Sequence, residues 1–306
     1  MEYIQTDKFR IEAPTVVTIG KFDGRHRGHQ KLLQIMAEWK KKGFSVAIFT
    51  FSKTPGAVVA GSSQTVITTN EERRYIMEKA GVEYLVEYPF NERVARMAPE
   101  EFVKRILVGQ MNARAIVVGT DCGFGYKRSG NVSLLKKLAP ELGFQLEVVE
   151  KAQEDNRDIS STYVREELDK GHIEKANELL GTPYSIHGKV VHGNHIGSSI
   201  LGFPTANILP PPEKHLPKFG VYVSRVIVGG KEYRGITNIG KKPTVEGKYP
   251  TGAETFLMDF DGDLYGETIE VQLLHFLRPE QKFENLDELK VQIEKDKKSA
   301  LKNEFL

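Results

Sequence analysis

The sequence changes character near residue 183, and this change constrains the fold more than any other feature. Before it, apolar runs such as 44–51 alternate with segments of helical periodicity such as 28–42. After it, strand-like runs follow one another with few helical stretches between them. Strands that alternate with helices form parallel sheets, whereas successive strands form antiparallel barrels or sandwiches. We therefore predict an α/β domain over residues 1–183 and an antiparallel barrel or sandwich domain over residues 184–306.

Individual elements are predicted within each half. The first half has predicted strands at 15–19, 44–51, 82–87, 114–119 and 144–149, and predicted helices at 28–42, 71–79 and 99–107. The second half has predicted strands at 184–191, 221–228, 233–239, 254–260 and 268–276. Hairpins are predicted at Gly229-Gly230 and Asp261-Gly262. An amphipathic helix over 285–303 is predicted to bury the stripe formed by Leu286, Leu289, Ile293 and Leu301.

Composition limits the classes of partner. A chain of 306 residues is long for one hydrophobic core, which favours two domains. The net charge is only +2, so no general basic field points to nucleic acid. The single cysteine excludes an internal disulfide framework, and no apolar run reaches membrane-spanning length. The N-terminus lacks a signal pattern, so we expect a cytoplasmic protein without a nucleic-acid or membrane partner; the oligomeric state is not indicated.

A glycine- and histidine-rich stretch leaves the first long predicted strand. Gly20 and Gly24 allow a sharp turn, and the following helix start offers backbone amides to an anion. His26 and His29 are three residues apart, so both project from one side of the first helical turn. This pattern favours a phosphate site over a helix start with surface histidines. Zinc is less favoured, because no third ligand is evident.

The same stretch resembles a known family. Its pattern, Gly20-x-Phe22-Asp23-Gly24-x-His26-x-Gly28-His29, is similar to the HxGH signature of nucleotidylyltransferases, and more narrowly to the FMN adenylyltransferase half of bacterial bifunctional riboflavin kinase/FAD synthetases. The stretch 159–165 resembles that family's ISSTxxR motif, and 119–125 resembles its GxDFxFG segment. The resemblance implies that His26 and His29 are catalytic and that further residues bind nucleotide or phosphate: Gly20, Phe22, Asp23, Gly24, Gly28, Asp121, Ser160, Ser161, Thr162 and Arg165.

The second half carries motifs that resemble the family's kinase domain. Thr205 and Asn207 close a Pro-Thr-Ala-Asn run and face the same way in an extended segment, so their oxygens suit Mg²⁺; a proline turn is the alternative. Glu254 opens a strand with an apolar face, where an ordinary solvated carboxylate is the alternative. The resemblance implies that Glu254 accepts the proton of the ribityl 5′-hydroxyl. It also implies nucleotide- or phosphate-binding roles for Gly188, Gly193, Gly202, Pro204 and Asn238.

The resemblance implies a complete architecture and two reactions. The expected fold is a Rossmann-like α/β nucleotidylyltransferase domain followed by an antiparallel β-barrel riboflavin kinase domain with a C-terminal helix. With Mg²⁺ and ATP, the chain would phosphorylate riboflavin to FMN and adenylylate FMN to FAD. Two departures from the family pattern, Lys53-Thr54-Pro55 and Cys122, leave an alternative open. In that alternative the chain is a riboflavin kinase whose N-terminal domain is weakened or is a regulatory flavin- or nucleotide-binding module.

Overall fold

The computed structural model describes residues 1–52, 65–192, 205–241 and 251–302 and divides into two compact units, Met1–Ser161 and Thr162–Leu306. The first unit contains a six-stranded sheet of order β1-β4-β3-β2-β5-β6, in which every neighbouring pair is parallel. This confirms the predicted parallel sheet. Its strands are β1 (Glu2–Ile4), β2 (Thr15–Ile19), β3 (Ser45–Phe51), β4 (Tyr84–Tyr88), β5 (Ala113–Gly119) and β6 (Gln145–Val149).

Helices cover both faces of this sheet because its strands are apolar on both sides. Along β2, Val16 packs into one buried cluster with Met36 and Trp39, whereas Val17 packs into the other with Phe102 and Ile106. The helices of this unit are α1 (Arg27–Lys41), α2 (Asn70–Lys79), α3 (Glu92–Ala95), α4 (Pro99–Glu101), a π-helical continuation (Phe102–Gln110) and α5 (Val132–Leu142). Two further helices, α6 (Ser161–Lys170) and α7 (Ile173–Leu180), follow in the chain, and the second unit begins at Thr162.

Four helices, α3, α5, α6 and α7, were not assigned from periodicity. α5 carries Pro140 in its last turns, and proline disfavours a helix interior. α6 and α7 are short and are separated by Gly171, whose φ of +84° ends the first of them. Short segments give too few turns for an apolar repeat to stand out.

The second unit contains a closed antiparallel barrel of order β10-β13-β12-β11-β14-β9, in which β9 also pairs with β10. This confirms the barrel. Its strands are β9 (Tyr184–Val191), β10 (Thr205–Ile208), β11 (Gly220–Val228), β12 (Lys231–Lys241), β13 (Thr251–Leu257) and β14 (Thr268–Arg278). Two short strands, β7 (Gln153–Glu154) and β8 (Arg157–Asp158), pair with each other in a separate ribbon of the first unit.

One of the two predicted hairpins is present. Gly229 and Gly230 join β11 to β12 with φ of +54° and +82°, which suits a tight turn. The prediction at Asp261-Gly262 was wrong, because β13 pairs with β10 and β12 whereas β14 pairs with β9 and β11. A connection between non-adjacent strands carries the same turn residues as a hairpin, so local sequence does not separate the two cases.

A C-terminal helix, α8 (Leu286–Lys302), packs on the outer face of the barrel. Its buried contacts centre on Ala300 and Asp296, and Asp296 accepts hydrogen bonds from the guanidinium of Arg278, with Nη2–Oδ2 at 2.8 Å. Leu301 is 58% exposed, so its predicted place in the buried stripe was wrong. Asp296, which is paired with the half-buried Arg278, faces the barrel, whereas hydrophobicity alone predicts a leucine there.

Two candidate active sites

The glycine- and histidine-rich turn lies at the switch point of the parallel sheet. β2 is the strand from which the chain order runs one way to β3 and β4 and the other way to β5 and β6. In such sheets, ligands bind beyond the carboxyl ends of the strands at the point where the order reverses. Residues 20–26 leave β2 there, and residues 120–125 leave β5 there. Both predicted N-terminal loop motifs therefore meet at one edge.

Three rings are stacked at the start of α1. The His26 and His29 rings lie 3.8 Å apart between centroids with an interplanar angle of 20°. Phe22 packs against His29 with the ring centroids 4.6 Å apart and the rings tilted by 31°, and Phe22 is fully buried. His26 precedes the helix in an extended conformation and does not cap it through its side chain. Phe22 therefore contributes to this site by packing against the His29 ring.

The Nδ1 atoms of both imidazoles are buried without hydrogen-bond partners among the described residues. His26 is 8% exposed, and neither Nδ1 has a partner within the described residues. Burial lowers the pKa of His26 to about 4, and burial together with His26 lowers the pKa of His29 well below its usual value. Both rings are therefore neutral near pH 7. Buried polar atoms without partners are costly, and an incoming ligand would supply what they lack.

These pKa shifts predict a pH dependence of stability. His26 stays neutral in the folded state down to about pH 4, whereas an unfolded histidine binds a proton below about 6.5. The free energy of unfolding is therefore independent of His26 titration above about pH 6.5 and decreases as the pH drops towards 4. The decrease that His26 causes is about 2 kcal/mol at pH 5. Trp39, the only tryptophan, lies in α1 and reports urea unfolding. His26→Gln should lose less stability between pH 7 and pH 5 than the wild type; equal losses would contradict the assignment.

A set of hydrogen bonds holds the turn in place. The amide of Thr68 donates to Asp23 Oδ1 at 3.0 Å, and the Thr68 hydroxyl accepts from the Gly24 amide at 3.0 Å. The Ser161 hydroxyl donates to the carbonyl of Asp23 at 2.7 Å. Gly24 has a φ of +83°, which favours glycine. Asp23 and Ser161 were predicted to bind nucleotide; in this structure both are engaged in positioning the turn. Sequence reasoning missed Thr68, and no motif marks it.

The loop after β5 is held next to this turn. Asp121 pairs with Lys151 Nζ at 3.3 Å, and the same amine lies 2.9 Å from Asp158, just before the predicted phosphate-binding serines. Asp121 is close enough to His26 to oppose the fall of its pKa. Burial raises the pKa of the Cys122 thiol to about 11, so this departure from the family pattern introduces no reactive thiolate at pH 7.

The predicted serine-threonine motif begins α6. Ser160 precedes the helix and Ser161 opens it, within the first compact unit. Thr162 is the second residue of the same helix, where the second compact unit begins, and Arg165 is its fifth residue. Thr162 is exposed and Arg165 is half-buried.

A second candidate site forms a polar row across three barrel strands. Register places Glu254 on β13 directly opposite Asn207 on β10 and opposite Asn238 on β12. Opposed residues in antiparallel strands point to the same face, so all three project together. Thr205, two residues before Asn207, shares that face, and its hydroxyl donates to Glu254 Oε1 at 2.8 Å. Ile236, on the same face of β12, packs with Ala300 of α8, which makes this face the outer one.

The inner face of these strands is also hydrogen-bonded. The fully buried hydroxyl of Thr237 lies 2.8 Å from that of Ser224 and 2.9 Å from that of Thr255, which is the next residue after Glu254. These three buried side chains satisfy one another and fix the register between β11, β12 and β13.

The donor set of the outer face fits a hard cation. A hydroxyl, an amide and a carboxylate lie together at Thr205, Asn207 and Glu254, and Asn207 is only 4% exposed. No group of three His, Cys, Asp or Glu side chains in the described part of the chain could hold a metal by itself. Mg²⁺ commonly uses one or two protein oxygens and completes its shell with substrate phosphates and water, so few protein ligands suffice.

Other predicted kinase-site residues have packing roles or lie outside the described residues. A Cβ at Gly188 would lie 2.3 Å from Ile208 Cγ2, so glycine permits the approach of β9 and β10. Asn238 donates to Glu280 Oε1 at 3.4 Å. Gly193, Gly202 and Pro204 lie outside the described residues, as do Lys53, Thr54 and Pro55.

The order of the parallel sheet and the paired imidazoles at its switch point define a nucleotidylyltransferase domain of the HxGH class, followed by a kinase-type barrel. A family model described as FAD synthetase matches residues 8–163, and one described as riboflavin kinase matches residues 180–303. The chain belongs to the bifunctional riboflavin kinase/FMN adenylyltransferase family.

Relatives match over nearly the whole chain. A bifunctional riboflavin kinase/FMN adenylyltransferase from Escherichia coli (strain K12) is 39% identical over 289 residues, covering 93% of this chain and 91% of that protein. The protein of that name from Bacillus subtilis (strain 168) is 36% identical over 297 residues, covering 95% and 93%.

A solved structure shares the fold. The crystal structure described as a macrolide-efflux protein from Streptococcus pneumoniae superposes with a TM-score of 0.87 at 30% identity, covering 99% of both chains. The efflux description applies to that protein. Among the described residues of the present chain, no helix is both long and apolar enough to cross a membrane.

Proposed function

We infer that this chain catalyses two successive ATP-dependent transfers, riboflavin to FMN and FMN to FAD. The observation that carries the inference is the presence in one chain of both candidate sites, with His26 and His29 inside the span of the FAD synthetase model and Thr205, Asn207 and Glu254 inside that of the riboflavin kinase model. Neither the family models nor the relatives favour the alternative of a kinase with a weakened or regulatory N-terminal domain. We place the functional boundary between residues 183 and 184, where β9 begins, and we propose a cytoplasmic location.

In the kinase reaction, we assign the role of general base to Glu254. The 5′-hydroxyl oxygen of riboflavin bonds to the γ-phosphorus of ATP, the bond to the bridging oxygen breaks, ADP leaves, and the hydroxyl proton passes to the Glu254 carboxylate. The Thr205 hydroxyl already donates to Oε1, which orients the carboxylate. A positioned base of this kind typically contributes about 10² to 10⁴ in rate.

We also propose that Thr205 and Asn207 hold Mg²⁺ against the ATP phosphates, with Asn238 beside them. When bound, the cation neutralises phosphate charge and orients the γ-phosphoryl group. A threonine hydroxyl can donate to a carboxylate and still present a lone pair to a cation, so the Thr205–Glu254 hydrogen bond is compatible with this role. Gly188, Gly193, Gly202 and Pro204 are proposed to bind the nucleotide.

In the adenylylation reaction, we assign His26 and His29 to the reacting phosphate. A phosphate oxygen of FMN bonds to the α-phosphorus of ATP, the bond to the bridging oxygen breaks, and pyrophosphate leaves. The nucleophile is already an anion, so no strong base is needed. Two neutral imidazoles held in a rigid stack can donate hydrogen bonds to the charge that develops. Ser160, Ser161, Thr162 and Arg165 are proposed to bind the β- and γ-phosphates.

The assay for this proposal separates flavins after incubation of the chain with riboflavin, ATP and Mg²⁺. FMN should appear first and FAD should follow, with one pyrophosphate released per FAD. Accumulation of FMN without FAD would favour the kinase-only alternative. Absence of both products would contradict the proposed function.

Replacing Gly28 with alanine tests the ring stack. A Cβ at this position would lie 3.1 Å from His26 Nδ1 and 3.2 Å from its Cε1, so the ring must shift. We expect FAD formation from supplied FMN to fall at least about tenfold, because small misplacements of catalytic groups are costly. Riboflavin phosphorylation measured on the same preparation should stay within about twofold of the wild type, because a change at one site has little effect on a separate site. Unchanged FAD formation would show that the stack tolerates the shift.

A further inference from the structure

Two arginines flank His26, and their environments differ. Arg27 forms a short ion pair with Glu154. The side chain of Arg25 is half-buried, yet it makes no hydrogen bond or ion pair with any residue that the structure describes. Only its backbone carbonyl is engaged, accepting from Gln30 Nε2 at 3.2 Å. One charge of this turn is neutralised inside the protein and the other is not.

An unpaired, partly desolvated cation is unfavourable unless an anion joins it. Burial lowers the pKa of Arg25, and no neighbouring carboxylate opposes that fall. Asp23, the acidic residue of the turn, is held by the amide of Thr68. The first turn of α1 has no acidic side chain. The turn therefore offers a cation without supplying its counterion.

The backbone of the turn is held in an uncommon conformation at the same place. Phe22 has a φ of +49°, Gly24 of +83° and Arg25 of +28°. Non-glycine residues with positive φ are uncommon, and such strain concentrates at functional sites. The strained residue directly precedes His26, and the buried Nδ1 atoms of His26 and His29 also lack partners among the described residues.

We propose that Arg25 is an additional phosphate-binding residue of the adenylylation site, contacting the triphosphate of ATP. This inference rests on the proposed function. Arginine suits phosphate because its planar guanidinium presents several donors at once. The cation would hold the triphosphate and offset charge as the FMN oxygen bonds to the α-phosphorus and pyrophosphate departs. Arg27, paired with Glu154, has no such role.

The test compares Arg25→Gln, Arg25→Lys and Arg27→Gln in the full chain, with FMN, ATP and Mg²⁺ supplied so that the kinase step is bypassed. We expect Arg25→Gln to lower kcat/KM for ATP about 10- to 100-fold, because a charged donor to phosphate is lost. KM for FMN should change less than about twofold, since FMN is not the ligand in this assignment. Arg25→Lys should recover part of the loss, and inhibition by inorganic pyrophosphate should weaken in Arg25→Gln.

The matched variant separates this role from a structural one. Arg27→Gln removes an arginine two residues away and should change kcat/KM for ATP less than about threefold. Arg25 does not bind the triphosphate of ATP if Arg25→Gln is no worse than Arg27→Gln, or if its loss lies in KM for FMN alone. A wild-type chain that forms no FAD would defeat the proposed function instead. Thermal midpoints of all variants identify any loss caused by unfolding.

Discussion

Replacing Glu254 with glutamine is expected to reduce riboflavin phosphorylation by about 10² to 10⁴, which is the contribution of a positioned general base. Glutamine keeps the shape of the side chain, and its carbonyl oxygen can still accept the hydrogen bond that the Thr205 hydroxyl donates at 2.8 Å. It cannot take the proton of the 5′-hydroxyl. The loss is measured as FMN formed per minute from riboflavin, ATP and Mg²⁺.

Two controls accompany the Glu254 variant. FAD formation from supplied FMN should be unchanged, because it uses the other site. Glu280→Gln removes an exposed carboxylate that lies next to Asn238 on the adjoining strand, and it should leave FMN formation within about threefold, as expected for an exposed charge. Normal FMN formation by the Glu254 variant, or an equal loss in Glu280→Gln, would remove Glu254 from its assigned role.

Replacing His29 with alanine is expected to reduce FAD formation from FMN by about 10² to 10³, the usual cost of removing one preorganised donor to developing charge. His29 is the middle ring of the stack, between Phe22 and His26, so its loss also leaves His26 without support on that side. The rate of pyrophosphate release with FMN and ATP as substrates is the measurement.

The His29 variant has its own matched control on the same helix. Lys31→Ala removes an exposed side chain two residues further along α1 and should not alter either activity. FMN formation from riboflavin should be retained in the His29 variant. Equal loss of FMN and FAD formation would contradict the assignment of the two reactions to separate units. His29→Asn, which keeps a side-chain donor, should recover some activity if donation is the role.

Much of the architecture could be predicted from the sequence, because strand and helix patterns repeat along the chain. The sheet, the barrel and the turn at residues 20–29 all follow from local signals. The neutrality of His26 and His29 could not be predicted, since it depends on how deeply the folded chain buries the rings. Thr68 was missed for the same kind of reason: it lies more than forty residues after the turn it holds.

The wrong predictions arose where contacts between distant parts of the chain outweighed a local sequence pattern. Asp261-Gly262 has the composition of a hairpin turn, yet the strands on its two sides belong to different neighbours in the barrel. Leu301 matches an apolar stripe, yet the helix turns Asp296 inwards to meet Arg278. Arg25 and Arg27 look equivalent in sequence, but in the folded chain Arg27 pairs with Glu154 whereas Arg25 has a positive φ and no such partner among the described residues.

The buried hydroxyls of Ser224, Thr237 and Thr255 have a consequence for the side chains on the outer face of the barrel. Side chains alternate between faces along a strand, so sliding β13 by a single residue would exchange Glu254 with its neighbour. The carboxylate of Glu254 would then lie inside the barrel, and the Thr255 side chain would take its place on the outer face. A dry interior of aliphatic side chains would tolerate such sliding more readily than three hydroxyls that find partners in one alignment only. The buried hydroxyls therefore fix the register of β13, and this register places Glu254 rather than Thr255 on the outer face of the barrel.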